Sequence, residues 1–357
     1  MFSSFFLKSF RILLFPFALL YWLGVAIRNW LYNIKVFKSS SFGLPLICVG
    51  NLTVGGTGKS PMVEYLVGLL KDKYKIATLS RGYKRKTKGY TLANENTTAL
   101  EIGDEPMLFH IKFPDVPVAV AEERLDGISQ ILHDKPGMQA IILDDAFQHR
   151  AVKAGLNIIL TDCNNLFTRD FYLPTGDLRD QKSSYKRAEI IVVTKCDPGL
   201  TREGRKKITK EINPKPGQTV FFTAIEYGAV YDIITKKNYR LTDSTEVLLV
   251  TGIANPKPLK EMLEKTCKTY SMLQYPDHHI FTIDDLQEIK KRFKQMEAAE
   301  KIVLTTEKDA VRLVKFDGQL ADLPLYVVPI RHDFLFGEEA KFNELVINFI
   351  QYFKQKE

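Results

Sequence analysis

The stretch Val49-Gly50-Asn51-Leu52-Thr53-Val54-Gly55-Gly56-Thr57-Gly58-Lys59-Ser60 sets glycines, a lysine and a hydroxyl at the spacing of a phosphate-binding loop. Gly55, Gly56 and Gly58 let backbone N–H groups turn inward around phosphate oxygens. Lys59 adds a point charge at the β- and γ-phosphates, and Ser60 offers a hydroxyl to Mg²⁺. Thr53, Val54, Gly55, Gly56, Thr57, Gly58, Lys59 and Ser60 are therefore the expected nucleotide-binding residues, with Thr53 standing where the usual pattern has glycine. A second signal is Ile141-Ile142-Leu143-Asp144-Asp145, an apolar run ending in paired carboxylates. Carboxylates at the carboxyl end of a parallel strand face the nucleotide crevice, so Asp144 and Asp145 join Ser60 as expected Mg²⁺ ligands. The chemistry implied is a Mg²⁺–nucleotide phosphotransferase or a nucleotide-driven switch. Thr194-Lys195-Cys196-Asp197 looks like the guanine-reading TKxD motif, which keeps a GTPase or ATPase switch, or a metallochaperone-type NTPase, as the alternative.

Such a loop needs a strand before it and a helix after it, and the surrounding pattern supplies both. Leu46–Val49 reads as a buried strand and Pro61–Leu70 as the helix that follows. Further apolar runs at 76–79, 116–120, 140–143, 157–160 and 190–194 predict more strands. Continuous apolar strands separated by helices predict an α/β fold with a parallel sheet covered on both faces. Composition shifts near residue 200, where 201–215 is strongly basic and reads as a linker or exposed helix. Beyond it lies a second, smaller α/β stretch with strands at 246–250 and 302–304. It closes with a helix whose apolar face carries Phe342, Leu345, Val346, Phe349, Ile350 and Phe353. The expected division is residues 1–30 as an N-terminal membrane-associated helix, 31–222 as the P-loop core, and 223–357 as the C-terminal domain.

The chain has 357 residues, 45% hydrophobic and 26% charged, a globular balance large enough for about two domains. Mean hydropathy of −0.12 excludes a polytopic membrane protein. Four dispersed cysteines form no CxxC pair, which argues against a zinc ribbon or disulfide scaffold and fits a reducing compartment. The net charge of +8 favours a polyanionic partner: nucleic acid, anionic membrane or phosphorylated substrate. The N-terminus narrows this choice. Ile12 to Ile27 is uncharged, interrupted by Pro16, flanked by Lys8, Arg11 and Arg28, and accompanied by Tyr21, Trp22, Trp30 and Tyr32. At about 1.5 Å per residue the run reaches roughly 24 Å, short of a hydrocarbon core of about 30 Å. Cations on both flanks suit a helix lying in an anionic leaflet.

Several longer strings converge on one family: Ser80-Arg81-Gly82-Tyr83, Gly103-Asp104-Glu105-Pro106, Asp144-Asp145-Ala146-Phe147-Gln148-His149 and Leu173-Pro174-Thr175-Gly176-Asp177-Leu178-Arg179-Asp180. Thr251 to Pro256, Asp277-His278-His279-Ile280-Phe281 and Thr305-Thr306-Glu307-Lys308-Asp309 complete the series. In this order the chain resembles the tetraacyldisaccharide 4'-kinase family of lipid A biosynthesis over essentially its whole length. The resemblance implies transfer of the ATP γ-phosphate to the 4'-hydroxyl of a tetraacyldisaccharide 1-phosphate, at the cytoplasmic face of a bacterial inner membrane. It implies ATP and Mg²⁺ as cofactors, a membrane surface rather than nucleic acid as partner, and no obligate protein partner. It also implies Asp104 as the catalytic aspartate and His278 as its histidine partner, a carboxylate–imidazole pair suited to taking a hydroxyl proton. Gln148, His149, Arg81, Arg179, Asp180 and Asp277 are further candidates. Ser60 replaces the family's usual threonine and keeps the hydroxyl, whereas Asp180 replaces a glutamate and shortens its reach.

Overall fold

The computed structural model describes residues 11–353 except 234, 254 and 321. The expected membrane-surface residues Phe5 and Lys8 lie outside the described residues. The strands in chain order are β1 (Leu46–Asn51), β2 (Ile76–Ser80), β3 (Thr91–Leu92), β4 (Val118–Val120), β5 (Ala140–Asp144), β6 (Leu156–Asp162), β7 (Ile190–Thr194) and β8 (Thr219–Tyr227). They continue as β9 (Val230–Asp232), β10 (Asn238–Tyr239), β11 (Glu246–Thr251), β12 (Thr269–Gln274), β13 (Lys301–Thr306), β14 (Leu325–Val328) and β15 (Ile330–Phe334). The helices that matter for function are α1 (Phe15–Asn33), α2 (Lys59–Leu70), α3 (Asp104–Lys112), α4 (Arg202–Ile212), α5 (Glu307–Leu313) and α6 (Glu339–Gln351).

Two sheets carry the fold. The first runs β15-β8-β7-β6-β1-β5-β2-β4-β3, parallel from β8 to β4 with an antiparallel strand on each edge. Strands β1, β2, β5 and β7 are buried at every residue, because helices cover both faces, and this is why they read as unbroken apolar runs. The second sheet runs β10-β9-β14-β13-β11-β12, with β14, β13, β11 and β12 parallel.

The chain visits the first sheet twice, which alters the expected division. Residue 222 falls inside β8, and β15 returns to pair antiparallel with it, Phe334 opposite Thr223. Helix α6 then buries Phe342, Val346 and Ile350 against Met62, Val63 and Leu66 of α2. Phe221, Phe334 and Phe342 stack with ring centroids 4.7–6.2 Å apart. The closing helix thus belongs to the first body, and the second comprises residues 230–328. The basic stretch after residue 200 is α4, capped by Thr201 and ended by Asn213 in the left-handed region at φ 53°.

Pro16 falls in the first turn of α1, where its missing N–H goes unneeded. Among the described residues no helix is long and apolar enough to cross a membrane. Polar contacts hold α1 to the body: Asn29 Nδ2 donates to Asp180 Oδ1 at 2.8 Å, and Tyr21 Oη donates to the Arg179 carbonyl at 3.1 Å. Of the cations expected to face headgroups, Lys8 lies outside the described residues, and Arg11 and Arg28 bond to the body. Arg11 donates to the Pro174 and Gly176 carbonyls and to Asp177 Oδ1, and Arg28 to the Gln148 carbonyl.

Candidate active site

The glycine-rich loop leaves β1 and enters α2 through Gly58, whose φ of 87° favours glycine. Each end of the loop is anchored. Val54 N donates to the Asp177 carbonyl at 2.7 Å and Arg179 N to the Leu52 carbonyl at 2.9 Å, so residues 177–179 form a brace beside the loop. Asn51 Nδ2 donates to Thr57 Oγ1 at 3.0 Å, and Thr194 Oγ1 donates to the Thr57 carbonyl at 2.8 Å. Gly55 and Gly56 are exposed, and a Cβ on either would meet nothing within 4 Å, so the concave side of the loop is open.

His332, on the returning strand β15, underpins this loop and is invisible in the sequence as a site residue. Its Nε2 lies 2.9 Å from the Gly58 carbonyl and its Nδ1 2.9 Å from Thr223 Oγ1. Burial lowers its pKa to about 4, so the ring is neutral, donating from Nε2 and accepting from Thr223 at Nδ1.

Lys59 Nζ donates to Asn51 Oδ1 at 3.2 Å and stands 3.7 Å from Asp145 Oδ1; burial lowers its pKa against the pull of Asp145. Asp145 is gripped through both oxygens by the Arg179 guanidinium. Burial pushes its carboxyl up, but Lys59 and Arg179 outweigh that and hold it below the usual range. Asp144 has the opposite character. It is 3% exposed, its Oδ1 has no hydrogen-bond partner, and burial, then Glu105 and Asp145, raise its pKa to about 7. An orphaned buried carboxylate oxygen at the end of β5, where Asp144 pairs with Val49 of β1 just before the loop, fits a divalent cation, which would satisfy that oxygen and drive off its proton. Among the described residues no group of three or more His, Cys, Asp or Glu could hold a metal.

This burial yields a stability prediction. Asp144 binds its proton more tightly folded than unfolded, so its contribution is favourable below pH 4 and is lost as pH rises through about 7. Asp144→Asn should therefore stabilise the nucleotide-free chain at pH 8 by on the order of 4 kcal/mol, the gap falling to less than half of that at pH 5. Thermal melts at the two pH values check it; an equal gap at both would remove the charge as its cause.

Helix α3 joins this loop to the second body. Gly103 precedes it at φ 92°, and Asp104 and Glu105 open it where the helix dipole favours carboxylates. Glu105 Oε1 accepts from Ser60 Oγ at 2.8 Å and from Lys308 of α5. Asp104 Oδ2 lies 3.0 Å from His278 Nδ1 and accepts from Arg312 Nε and Nη2 at 3.0 and 2.7 Å. Burial alone would raise the Asp104 carboxyl, yet Arg312 and His278 bring it below its ordinary value. Tyr83 meets the His278 ring edge-on at 5.9 Å between centroids. Further along the interface, Lys112 bridges Glu64 of α2 and Glu307 of α5.

The other expected residues divide into two groups. Arg179 and Gln148 lie beside the loop, Gln148 Nε2 donating to the Asn51 carbonyl at 2.8 Å. Asp277 Oδ2 is 3.9 Å from His278 Nε2. His149 Nε2 stands 3.8 Å from Glu123, with a pKa lowered by burial and then Arg124. Arg81 is exposed. Asp180 faces away from the loop: it is 1% exposed and accepts from Asn29, Ser184 and Arg187, so it anchors α1. Lys195 pairs with Asp162 at 2.9 Å, and Asp197 Oδ1 accepts from Gly199 N, so the TKxD string forms a turn here.

A glycine-rich loop at the carboxyl end of a central parallel strand, with a buried carboxylate and a carboxylate–imidazole pair facing it across two bodies, defines a kinase-type phosphotransferase. The chain matches the tetraacyldisaccharide-1-P 4'-kinase family over residues 10–351 and belongs to it. It is 46% identical over 342 residues to the tetraacyldisaccharide 4'-kinase of Flavobacterium johnsoniae, covering 96% of this chain and 97% of that one. The enzyme of the same name from Bacteroides thetaiotaomicron is 42% identical over 352 residues, covering 95% and 93%. The crystal structure of the Aquifex aeolicus relative described as an "apo" form in complex with ATP superposes with a TM-score of 0.75 at 28% identity, covering 96% of this chain and 99% of that one.

Proposed function

We infer that the chain transfers the γ-phosphate of ATP to the 4'-hydroxyl of a tetraacyldisaccharide 1-phosphate. The observation that carries this reading is the pair of consecutive carboxylates opening α3. Glu105 touches Ser60 of the loop while Asp104 touches His278, so a proton acceptor stands one residue along α3 from the side chain that meets the phosphate loop. Family membership supports the reading over the GTPase-switch alternative.

With Thr53 and Val54 tied to the 177–179 brace, Gly55–Ser60 cradle the phosphates with their backbone N–H groups, and Lys59 offsets charge developing on the transferred group. Ser60 and Asp144 would hold Mg²⁺, with Asp145 nearby but committed to Arg179 and Lys59. When bound, the ion neutralises phosphate charge and orients the γ-phosphoryl group. Asp104, ionised at neutral pH, accepts the 4'-hydroxyl proton, and His278 orients it. Incubating the full chain with radiolabelled ATP, Mg²⁺ and the disaccharide monophosphate should yield a labelled bisphosphate. Strong GTP hydrolysis with no transfer would favour the switch.

The acceptor's acyl chains stay in a bilayer, so we place the enzyme at the cytoplasmic face of the inner membrane, with α1 as its docking surface. Polar bonds from Arg11, Arg28 and Asn29 to residues 148 and 174–181 tether α1 and the turn before it, while Phe17 (61% exposed) and Leu20 (67%) project on one face of the helix and Leu13 (70%) is exposed in that turn. Deleting residues 1–27 would remove Arg11 and Tyr21, which steady the brace beside the loop, so substitution is the cleaner test. The triple variant Leu13→Glu, Phe17→Glu, Leu20→Glu should leave anionic vesicles and raise KM for the lipid at least tenfold, with KM for ATP within about twofold. Unchanged vesicle binding would end the docking assignment.

A further inference from the structure

Asp104 is oriented from the opposite body, and the arrangement gives one more residue a role in catalysis. Three contacts converge on a single oxygen, Oδ2: Arg312 Nε at 3.0 Å, Arg312 Nη2 at 2.7 Å and His278 Nδ1 at 3.0 Å. This leaves Oδ1 for the acceptor's proton. Arg312 is 6% exposed, and it is itself held. Its Nη1 donates to Asp309 Oδ1 at 3.1 Å and reaches the His279 carbonyl at 3.5 Å. Asp309 is fully buried, and its other oxygen accepts from Thr306 Oγ1 at 2.7 Å, Thr251 Oγ1 at 3.2 Å and Gly252 N at 3.1 Å. The Gly252 carbonyl in turn accepts from His278 N at 3.1 Å. One buried aspartate therefore fixes both groups that grip Asp104.

We propose that Arg312 is a positioning residue for phosphoryl transfer, locking the Asp104 carboxylate by one oxygen so that the other faces the sugar hydroxyl only when the two bodies are docked. The inference rests on the kinase reading above. A guanidinium suits the task because its planar fork places two donors on one acceptor edge, whereas a lysine ammonium holds it from a single point. Neither Arg312 nor Asp309 touches the glycine-rich loop, so nucleotide binding should not depend on them.

The test uses the full chain with ATP and the tetraacyldisaccharide 1-phosphate. Arg312→Ala should lower kcat about 100-fold while KM for ATP stays within about twofold, since misplacing a reacting group by around 1 Å has an effect of that size. Millimolar guanidinium ion should restore at least tenfold of the loss, and urea should not. Combined with Asp104→Asn, it should fall no further than Asp104→Asn alone, because the two act as a unit. A kcat within threefold of wild type, losses that multiply, or equal rescue by urea would overturn the proposal. Should Arg312→Ala fail to fold, Arg312→Lys decides: about a tenfold loss of kcat at unchanged melting temperature supports it, and wild-type turnover refutes it. If the wild-type chain transfers no phosphate, the kinase reading itself falls; if it turns over and the Arg312 variants match it, only this inference does.

Discussion

Lys59→Ala is expected to lower kcat by at least 100-fold while leaving the fold intact. The ammonium lies at the start of α2, 3.2 Å from Asn51 Oδ1 and 3.7 Å from Asp145 Oδ1. Neither contact is needed to keep those partners satisfied, because Arg179 holds Asp145 through both oxygens and also reaches Asn51. Burial disfavours the Lys59 charge in the nucleotide-free state, as its lowered pKa records, so removing it relieves a desolvation cost. In the transition state the same charge stabilises the transferred group, and one such contact contributes roughly 3 kcal/mol or more. The melting temperature of Lys59→Ala should accordingly match or exceed that of wild type as single-turnover transfer collapses. Near wild-type transfer would remove the loop lysine from the mechanism; a collapsed melting temperature would make its role structural.

The parts of this protein legible in the sequence are those whose physics is local. β1, β5 and β7 are buried on both faces, so each appears as an apolar run with no need to know its neighbours. The glycine-rich loop is legible because its backbone path demands glycine, and Asp144 because a strand-end carboxylate has few other uses. The return of the chain is illegible for the opposite reason. Ile330-Arg331-His332-Asp333-Phe334 alternates like any edge strand, and nothing in it specifies β8 as partner. The unread site residues, Arg312, Lys308 and His332, acquire meaning only through contacts 203 to 274 residues away in sequence. Lys308 falls within the quoted Thr305–Asp309 string, but a lysine on a helix is ordinarily a solvated charge. Asp180, a further candidate on its motif, has its carboxylate committed to Asn29, Ser184 and Arg187, contacts the motif does not reveal.

Asp104→Asn and His278→Ala should each lower kcat by about 100-fold or more, and the double variant should lose about as much as the worse single one. The reason is geometric. His278 contacts Asp104 through Oδ2 at 3.0 Å, so its effect on the acceptor hydroxyl passes through that carboxylate; once Asp104 is an amide, the imidazole has nothing left to orient. KM for ATP should move little, since neither side chain contacts residues 53–60. Asp104 loses its proton below the ordinary carboxylate range, with Arg312 and His278 overcoming the opposing effect of burial, so it is ionised at neutral pH and ready to accept one. Losses that add in logarithmic rate would assign the two residues independent tasks, with His278 acting directly on the lipid acceptor and Asp104 alone taking its proton.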